Sequence, residues 1–429
     1  MNLTHYPRLD ETVYRETLEN GLQVTVVKRP GFTKKLAYFV ADFGAIHTEF
    51  TYRGKKHLVP AGIAHYLEHK MFDMPGERDV SGEFAAMGAI TNAFTSYDIT
   101  AYYFSCTENF RDCLKLLLEF VSTPYFTEES VAKEQGIIDQ EIGMNADAPD
   151  SRIFEDLMAL AYKNHPIRVP ILGTSESIRQ ITPEVLHLCH EAFYTPGNMM
   201  LCVVGDVEAE EVKSIAEAVL GSERKEVAVK IKEWPEDLAC PEGYTERQME
   251  VAMPMFNLMF KCRPTENGET GIRREMVADL AAEALFGESS ELYLKLYEDG
   301  IIDSSFGGGF ETIDGCSMLM CSGDSYESEA LWEAIIAQAQ KIIRDGLEEA
   351  DFQRMKRSAL GRRIRELDSF DSTCFRTCAY HLSEYDYFRF PELYAKIEKQ
   401  ELRDFLAETI IAENSCLSVI KPLSKEENP

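Results

Sequence analysis

The pattern of apolar and polar positions divides the chain into strand-like and helix-like stretches. Short runs rich in β-branched and aromatic residues predict strands, and longer runs with apolar residues three or four positions apart predict helices. The strands predicted in the first half are residues 22–27, 36–42, 98–106 and 199–205. The helices predicted there are residues 60–72, 109–121, 128–145 and 182–193.

Signals for helix ends support two of these helices. Pro60 suits the first turn of the helix over residues 60–72, because proline has no N–H to lose there. Thr127 is a capping residue for the helix over residues 128–145, and Asp147-Ala148-Pro149 predicts its end.

The order of elements repeats after a polar segment that contains Pro235, Pro241 and Gly243. The repeat indicates two related units rather than one continuous fold. We predict an α+β fold of two similar domains, each a mainly antiparallel sheet with helices packed on one face. The predicted boundaries are 1–222 for the first domain, 223–247 for a linker and 248–429 for the second domain. The later elements that match earlier ones are residues 272–286, 329–345, 348–367 and 415–421.

The charge balance is strongly acidic. Lys and Arg number 44 against 73 Asp and Glu, which gives a formal net charge of −29. A nucleic-acid binder needs a basic face to meet phosphates, so we expect no nucleic-acid partner. Two readings of the charge stay open: an acidic cavity that favours basic peptides, or a soluble, self-repelling surface.

Composition also bears on the compartment. The chain has no apolar run of the roughly 18 residues that span a bilayer, so no membrane association is expected. Its first residues lack the basic and apolar regions of a signal peptide. The eleven cysteines are an odd number without paired spacing, which indicates reduced thiols. We therefore expect a cytoplasmic protein.

The segment His65-Tyr66-Leu67-Glu68-His69 carries the candidate chemistry. Positions four apart lie on one face of a helix, so the imidazoles of His65 and His69 can reach one metal ion. The carboxylate of Glu68 projects near the same place, where it can accept a proton from a water molecule and pass it to a leaving amine. Imidazole and carboxylate ligands with one open position are typical of catalytic zinc.

This H-x-x-E-H pattern is specific. With 9 His in 429 residues and Glu at about one residue in ten, a chance match is expected roughly 0.02 times. The alternative is a surface helix with two solvated histidines. The neighbouring positions Ile63, Ala64 and Leu67 are apolar, which predicts that the helix is largely enclosed.

Glu134 and Glu141 are candidates for the missing protein ligand. They lie seven residues apart, or two helical turns, so they share a face of the predicted helix. From the residues alone, either glutamate can complete the metal site while the other holds a ligand or the water from outside the ligand set.

The segment GIAHYLEHKMF resembles the active-site helix of the pitrilysin/insulinase family of inverted zincins. That family places a glutamate ligand some seventy-odd residues beyond the motif, with a second glutamate seven residues earlier. The resemblance therefore implies zinc ligands His65, His69 and Glu141, Glu68 as the general base, and Glu134 in a supporting role.

A second resemblance concerns substrate binding. The segment NAFTSYDITAYYF is similar to the edge strand of the family's active site. The resemblance implies that Asn92, Ala93, Phe94 and Thr95 contact a peptide that adds a strand to the sheet. An ordinary half-buried strand is the alternative. A third segment, YTPGNMMLCVVGD, resembles the last strand of the family's first domain.

The family resemblance also implies a whole-molecule arrangement. A LuxS/processing-peptidase-like pair of domains is expected, in which the active domain faces an inactive one across a closed chamber. The segment RREMVADLAAEALFG of the second half has no histidine, in agreement with an inactive domain. The implied activity is zinc-dependent endopeptidase cleavage of peptides or small unfolded proteins.

One departure from the family limits this expectation. The family commonly has an Arg and a Tyr seven residues apart that steady the tetrahedral intermediate. The matching positions here are Tyr297 and either Ser304 or Ser305. We therefore predict a homo- or heterodimer with another insulinase-like chain that supplies the missing donors. The chain resembles the zinc-bearing member of paired bacterial proteins associated with aminopentanol modification of elongation factor P.

The residues allow three other interpretations. The chain is alternatively a non-catalytic peptide-binding or scaffold subunit of a modification complex. A metal cluster at His187-Leu188-Cys189-His190 is disfavoured against ordinary packing of a helix. Gly307-Gly308-Gly309 lacks the helix and spacing of a phosphate loop and predicts a flexible turn or a strand bulge.

Overall fold

A computed structural model describes residues 1–76, 78–224 and 227–423. The strands before residue 206 are β1 (Asn2–Tyr6), β2 (Glu11–Thr17), β3 (Gln23–Lys28), β4 (Lys35–Ala41), β5 (Glu49–Tyr52), β6 (Lys55–Leu58), β7 (Asp73–Met74), β8 (Arg78–Asp79), β9 (Ile90–Thr95), β10 (Thr100–Cys106) and β11 (Met199–Gly205). The helices up to residue 220 are α1 (Ile63–Lys70), α2 (Val80–Ala86), α3 (Phe110–Ser122), α4 (Glu128–Ala146), α5 (Pro149–Ala161), α6 (Ser175–Ile178), α7 (Pro183–Phe193) and α8 (Ala209–Leu220).

The rest of the described chain contributes a second set of elements. Its strands are β12 (Val229–Ile231), β13 (Tyr244–Met249), β14 (Met255–Cys262), β15 (Gly307–Ile313), β16 (Cys316–Asp324) and β17 (Ser415–Pro422). Its helices are α9 (Glu269–Phe286), α10 (Glu291–Glu298), α11 (Ser328–Asp345), α12 (Glu349–Glu366), α13 (Phe370–Leu382), α14 (Phe390–Lys396) and α15 (Lys399–Thr409).

The two main sheets share a five-stranded core of the same topology, to which the first sheet adds two strands, β1 and β2, at one edge. The first has the order β1-β2-β3-β11-β4-β10-β9, and the second has the order β13-β17-β14-β16-β15. In each half, the last strand pairs in parallel with an early strand: β11 with β3, and β17 with β13. The other strand pairs of both sheets are antiparallel. This agreement confirms the predicted α+β fold of two similar, mainly antiparallel halves.

Each sheet has one face covered by helices of its own half and the other covered by a helix of the opposite half. On the first sheet, Val26, Phe39 and Val203 pack into the core that contains α1 and α3. The opposite face of the first sheet, which includes Tyr38 and Cys202, packs against α13. Reciprocally, α5 lies on the second sheet. The sequence predicted one helical layer per sheet and gave no sign of this exchange.

Most predicted element boundaries are confirmed. Thr127 caps α4, where its Oγ1 accepts a hydrogen bond from the N–H of Ser130 at 3.1 Å. Helix α4 ends at Ala146, and Pro149 begins α5. Two details were wrong. Pro60 precedes the first helix, which begins at Ile63 after Gly62.

The second wrong detail is the triple glycine. Residues Gly307–Gly309 form the start of the regular edge strand β15, in unbroken register with β16. Pairing with β16 fixes them in a strand rather than a flexible turn or bulge.

The segment predicted as a linker contains strand β12 and the start of β13. Strand β12 pairs with β5 of the first half, and β13 pairs with β17 of the second. Residues 225–226 of that range, and 424–429 of the predicted second domain, lie outside the described residues. The boundaries 1–222, 223–247 and 248–429 stay a prediction.

None of the described helices combines the length and apolar character needed to cross a membrane.

Candidate active site

Helix α1 begins where two backbone segments lie in contact. Gly62 has a φ of 88°, a left-handed conformation that favours glycine. A Cβ there would lie 2.4 Å from the carbonyl oxygen of Leu172, and a Cβ on Gly173 would lie 2.4 Å from the carbonyl oxygen of Ala61. These close contacts fix the start of the helix. Seven of its eight residues are buried, which confirms the predicted enclosed helix.

The two histidines of α1 and one glutamate of α4 form a group of metal-ligating side chains. One ligand atom from each of His65, His69 and Glu141 lies within 4.8 Å of the others. Nε2 of each histidine is 3.7 Å from a carboxylate oxygen of Glu141. Tetrahedral zinc with bonds of about 2.0–2.1 Å holds its ligands about 3.3 Å apart, so a small inward movement of these side chains gives a zinc site.

The electrostatic state of His65 agrees with this donor set. Burial, together with the neighbouring His69, lowers the pKa of His65 to about 4. His65 is therefore neutral near pH 7, the form in which an imidazole binds metal. Burial alone would lower the pKa of His69, but the hydrogen bond to Glu134 and the nearby carboxylates outweigh it and raise this pKa.

Glu134 is hydrogen-bonded to His69 but is not one of the three metal-ligating residues. Its Oε1 lies 2.9 Å from Nδ1 of His69, which leaves Nε2 to face Glu141. This hydrogen bond, against the opposing effect of burial, lowers the pKa of Glu134. By contrast, Nδ1 of His65 is buried without a hydrogen-bond partner in the described chain. The two predicted glutamates are thus both at the site, with Glu141 nearer the ligand position.

Lys70 adds a buried positive charge behind Glu134. Its side chain is 1% exposed, it forms an ion pair with Asp73, and its Nζ lies 3.8 Å from Oε2 of Glu134. Nζ also donates to the backbone oxygen of Ser130 in α4 at 3.3 Å. The motif did not identify this residue, because only the packing of α1 on α4 brings the charges together.

Glu68 lies on the same helix with its carboxylate turned toward strand β9. It is 8% exposed, and Thr95 Oγ1 donates a hydrogen bond to its Oε2 at 2.6 Å. Burial raises the pKa of Glu68, while the hydrogen bond from Thr95 and the charge of His69 oppose that rise. A raised carboxyl pKa favours a group that takes up and releases a proton.

Strand β9 is the edge strand of the first sheet, paired on one side with β10. The exposed Asn92 accepts a hydrogen bond from the N–H of Ala93 at its Oδ1, at 2.9 Å. Because side chains alternate along a strand, Ala93 and Thr95 face the α1 side. Phe94 points the other way and packs near Tyr38 and Phe375. The backbone edge and Asn92 are therefore accessible to a peptide, whereas the Phe94 ring is occupied.

The remaining sequence candidates lie elsewhere. Tyr297 is on α10, where its ring stacks on Tyr293. Ser305 donates its N–H to Asp303 and accepts from the N–H of Asp324. His190 has Nε2 3.1 Å from the backbone oxygen of Val121, and the described chain forms no metal-ligating group around it.

The corresponding place in the second half holds an ion-pair cluster. By element order, α9 and α12 correspond to α1 and α4. Glu275 and Asp279 lie four residues apart on α9, and Nη2 of Arg363 on α12 is 3.5 Å and 3.0 Å from their carboxylates. A guanidinium thus supplies positive charge where the first half has its metal-ligating group, and the described residues of the second half form no comparable donor set for zinc.

This fold and site define a class of protein: a two-domain unit of the inverted-zincin type, in which one half holds a group of metal-ligating side chains and the described residues of the other half form no such group. Residues 59–175 match the model of the insulinase family, peptidase family M16, and residues 180–359 match the model of the peptidase M16 inactive domain. An uncharacterized zinc protease of Bacillus subtilis, YmfH, is 36% identical over 428 residues, which cover 98% of this chain and 99% of that protein. The chain therefore belongs to the insulinase family, M16.

Solved structures agree with this placement. A putative M16-like peptidase from Alicyclobacillus acidocaldarius has a TM-score of 0.92 and 31% identity, over 96% of this chain and 99% of the other. A protease from Helicobacter pylori has a TM-score of 0.83 at 20% identity, over 96% and 99% of the two chains. The second likeness concerns the fold alone.

Proposed function

We propose that the protein is a zinc metalloendopeptidase that cleaves peptides or small unfolded proteins. The observation that carries the proposal is the convergence of His65, His69 and Glu141 beside Glu68 and the free edge of β9. Zinc is the cofactor that suits this set of two imidazoles and one carboxylate.

The side chains have separate roles in the proposed reaction. His65, His69 and Glu141 hold zinc, and Glu134 orients His69 through Nδ1. Bound zinc supplies Lewis acidity and makes water a better nucleophile. Glu68 accepts the proton of the attacking water at Oε1, because Oε2 is engaged by Thr95. It then gives this proton to the leaving amine.

Peptide binding at β9 explains how such a site accepts many sequences. A peptide that pairs with the edge strand uses main-chain hydrogen bonds, which depend little on side chains. The exposed Asn92 and the small Ala93 lie along this edge. Asn92 and Ala93 are therefore proposed to line the substrate path, and Thr95 is proposed to contribute its backbone, since its hydroxyl is bonded to Glu68. Phe94 is proposed to contribute its backbone only, since its ring packs on Phe375.

We further propose that a second insulinase-like chain, identical or different, closes the chamber and completes the site. Support comes from the second half, where Tyr297 occupies the position expected for the family's Arg. Its ring stacks on that of Tyr293 in the same helix. Association with aminopentanol modification of elongation factor P and a cytoplasmic location stay predictions of the sequence.

The same departure favours one alternative function. Without the Arg and Tyr donors, the chain would act as a non-catalytic peptide-binding or scaffold subunit that keeps its metal. The complete set of five site residues favours the peptidase, because a scaffold has no physical need for a general base beside a zinc site.

The proposal is tested with the chain purified from its native source, together with any chain that co-purifies. Metal analysis should find about one zinc per chain. Internally quenched peptides should be cleaved, a chelator should stop cleavage, and added zinc should restore it. One zinc per chain with no cleavage of any peptide, even beside the co-purified chain, would favour the non-catalytic subunit. Equal activity of the chain alone and the mixture would contradict pairing with a different chain and would leave only pairing with an identical one.

A further inference from the structure

The orientation of Glu68 is set by a residue from another element. The Oγ1 of Thr95 donates to Oε2 of Glu68 at 2.6 Å, and within the described chain no other side chain makes a hydrogen bond to this carboxylate. A threonine hydroxyl has one proton to donate, and an ionised carboxylate only accepts. The contact therefore holds one Glu68 oxygen in place and leaves the other for proton transfer.

Other polar groups near Glu68 have hydrogen-bond partners of their own. The hydroxyls of Tyr102 and Tyr194, both buried, lie 2.8 Å apart. The hydroxyl of Thr100, which faces Thr95 across the strand pair, donates to the backbone oxygen of Phe43 at 2.8 Å. Its Oγ1 lies 3.4 Å from Oγ1 of Thr95, a longer contact than the 2.6 Å between Thr95 and Glu68. This leaves Thr95 as the hydroxyl directed at the carboxylate.

The position of Thr95 is itself fixed by both halves of the molecule. It is the last residue of β9 and lies opposite Thr100 in the antiparallel register with β10. The preceding residue, Phe94, packs on the other face of the sheet with its ring centroid 6.1 Å from that of Phe375 in α13. A ring anchored on one face and a hydroxyl bonded on the other restrict rotation of the strand end.

We propose that Thr95 is a positioning residue for the general base, so that the strand that receives the peptide also orients Glu68. This inference rests on the proposed peptidase function. In this proposal the side chain of Thr95 orients Glu68, and the backbone edge of β9 binds the peptide. Because the two groups are separate, loss of the hydroxyl should affect the chemical step far more than substrate binding.

The test uses three variants of the whole protein, with any co-purifying chain retained. Thr95→Val removes the donor at constant shape, and Thr95→Ser keeps it. Thr91→Val is the matched control, since Thr91 is on the same strand but donates to the backbone oxygen of Tyr103 at 3.0 Å. The substrate is the internally quenched decapeptide that the unsubstituted protein cleaves fastest from a library.

For Thr95→Val we expect kcat to fall about 10- to 100-fold, the size of a lost hydrogen bond to a charged group, with KM changed less than about twofold. Thr95→Ser and Thr91→Val should stay within about threefold of the unsubstituted protein. All four proteins should bind zinc equally. A crystal structure of Thr95→Val should show Glu68 in more than one orientation.

Other outcomes overturn the inference. If Thr95→Val keeps kcat and Glu68 keeps one orientation, Thr95 does not position the base, and the proposed peptidase function is unaffected. A rise in KM with unchanged kcat would make Thr95 a substrate contact instead. If kcat falls as far in Thr95→Ser and Thr91→Val as in Thr95→Val, the cause is a general defect of the strand rather than the missing hydroxyl. If the unsubstituted protein cleaves no peptide, both the proposed function and this inference fail.

Discussion

Single side chains at this site are held by neighbours that the motif does not contain. His69 has Glu134 behind it at 2.9 Å, and Glu134 in turn lies near the buried Lys70. His65 has no such support, since its Nδ1 lacks a partner in the described chain. The two histidines, equivalent in the sequence, are therefore unequal in the structure, and zinc affinity should depend more on the support of His69.

Replacement of Glu134 tests this support. Glu134→Gln keeps the shape but removes the negative charge that accepts the hydrogen bond from His69. Loss of such a partner typically weakens metal affinity about 10- to 100-fold, and we expect a decrease of that size in competition with a chromogenic chelator. Glu129→Gln, on the exposed first turn of the same helix, is the control and should bind zinc normally. Unchanged affinity in Glu134→Gln would show that His69 needs no partner.

At the scale of elements, the site depends on how α1 begins and on how it meets α4 and β9. Gly62 and Gly173 allow two backbones to approach within a distance that a Cβ would prevent. Ser177 Oγ also donates to the backbone oxygen of Ala61 at 2.8 Å. The start of α1 is thus fixed by the loop that precedes α6, and the positions of both histidines follow from it.

A pair of glycine substitutions measures this contact. Gly62→Ala and Gly54→Ala both place alanine at a positive φ, but a Cβ meets the Leu172 carbonyl only at Gly62 and has nothing within 4 Å at Gly54. Gly54→Ala should cost about 1–2 kcal/mol in the free energy of unfolding. Gly62→Ala should cost about 2 kcal/mol more through steric strain and should also weaken zinc binding. If denaturant unfolding shows the same loss of free energy in both variants, the loop around Leu172 moves aside at no measurable cost.

The elements show where prediction from sequence succeeds. Spacing alone placed His65 and His69 on one helix face and Glu134 and Glu141 on another, because helical periodicity is local. The choice of Glu141 as the ligand came from the family resemblance rather than from spacing. The Thr95–Glu68 hydrogen bond and the charge of Lys70 were not predicted, because each depends on the packing of elements distant in sequence. Pro60 was misplaced because Gly62, in a left-handed conformation, sets the true start of α1.

The whole molecule is held together by reciprocal exchange of a helix between the halves. Helix α13 covers the first sheet, where Cys374 Sγ lies 3.6 Å from the backbone oxygen of Cys202. Helix α5 covers the second sheet, and the buried Lys261 donates to the backbone oxygen of Ala161 at its end, at 2.9 Å. No sequence periodicity encodes this exchange, since each helix is simply amphipathic. We therefore expect the second half to be required for stable folding of the half that carries the proposed zinc ligands.

Expression of separate halves tests this interdependence. Residues 1–222 alone would expose the apolar face that includes Tyr38, Val40 and Val204, all buried in the whole chain. Large exposed apolar faces drive aggregation, so we expect this fragment to be aggregated or to unfold without cooperativity in thermal circular dichroism. Co-expression with residues 223–429 should restore a soluble complex that binds zinc. A monomeric fragment 1–222 with a cooperative transition would contradict the interdependence.

Glu68 is proposed as the general base of a zinc peptidase, and this role is tested by measuring zinc content and peptide cleavage together in Glu68→Gln. The variant keeps His65, His69 and Glu141 and loses only the carboxylate that moves the proton. We predict about one zinc per chain, as in the unsubstituted protein, with cleavage reduced by at least about 100-fold. Cleavage at the unsubstituted rate with zinc still bound would contradict it.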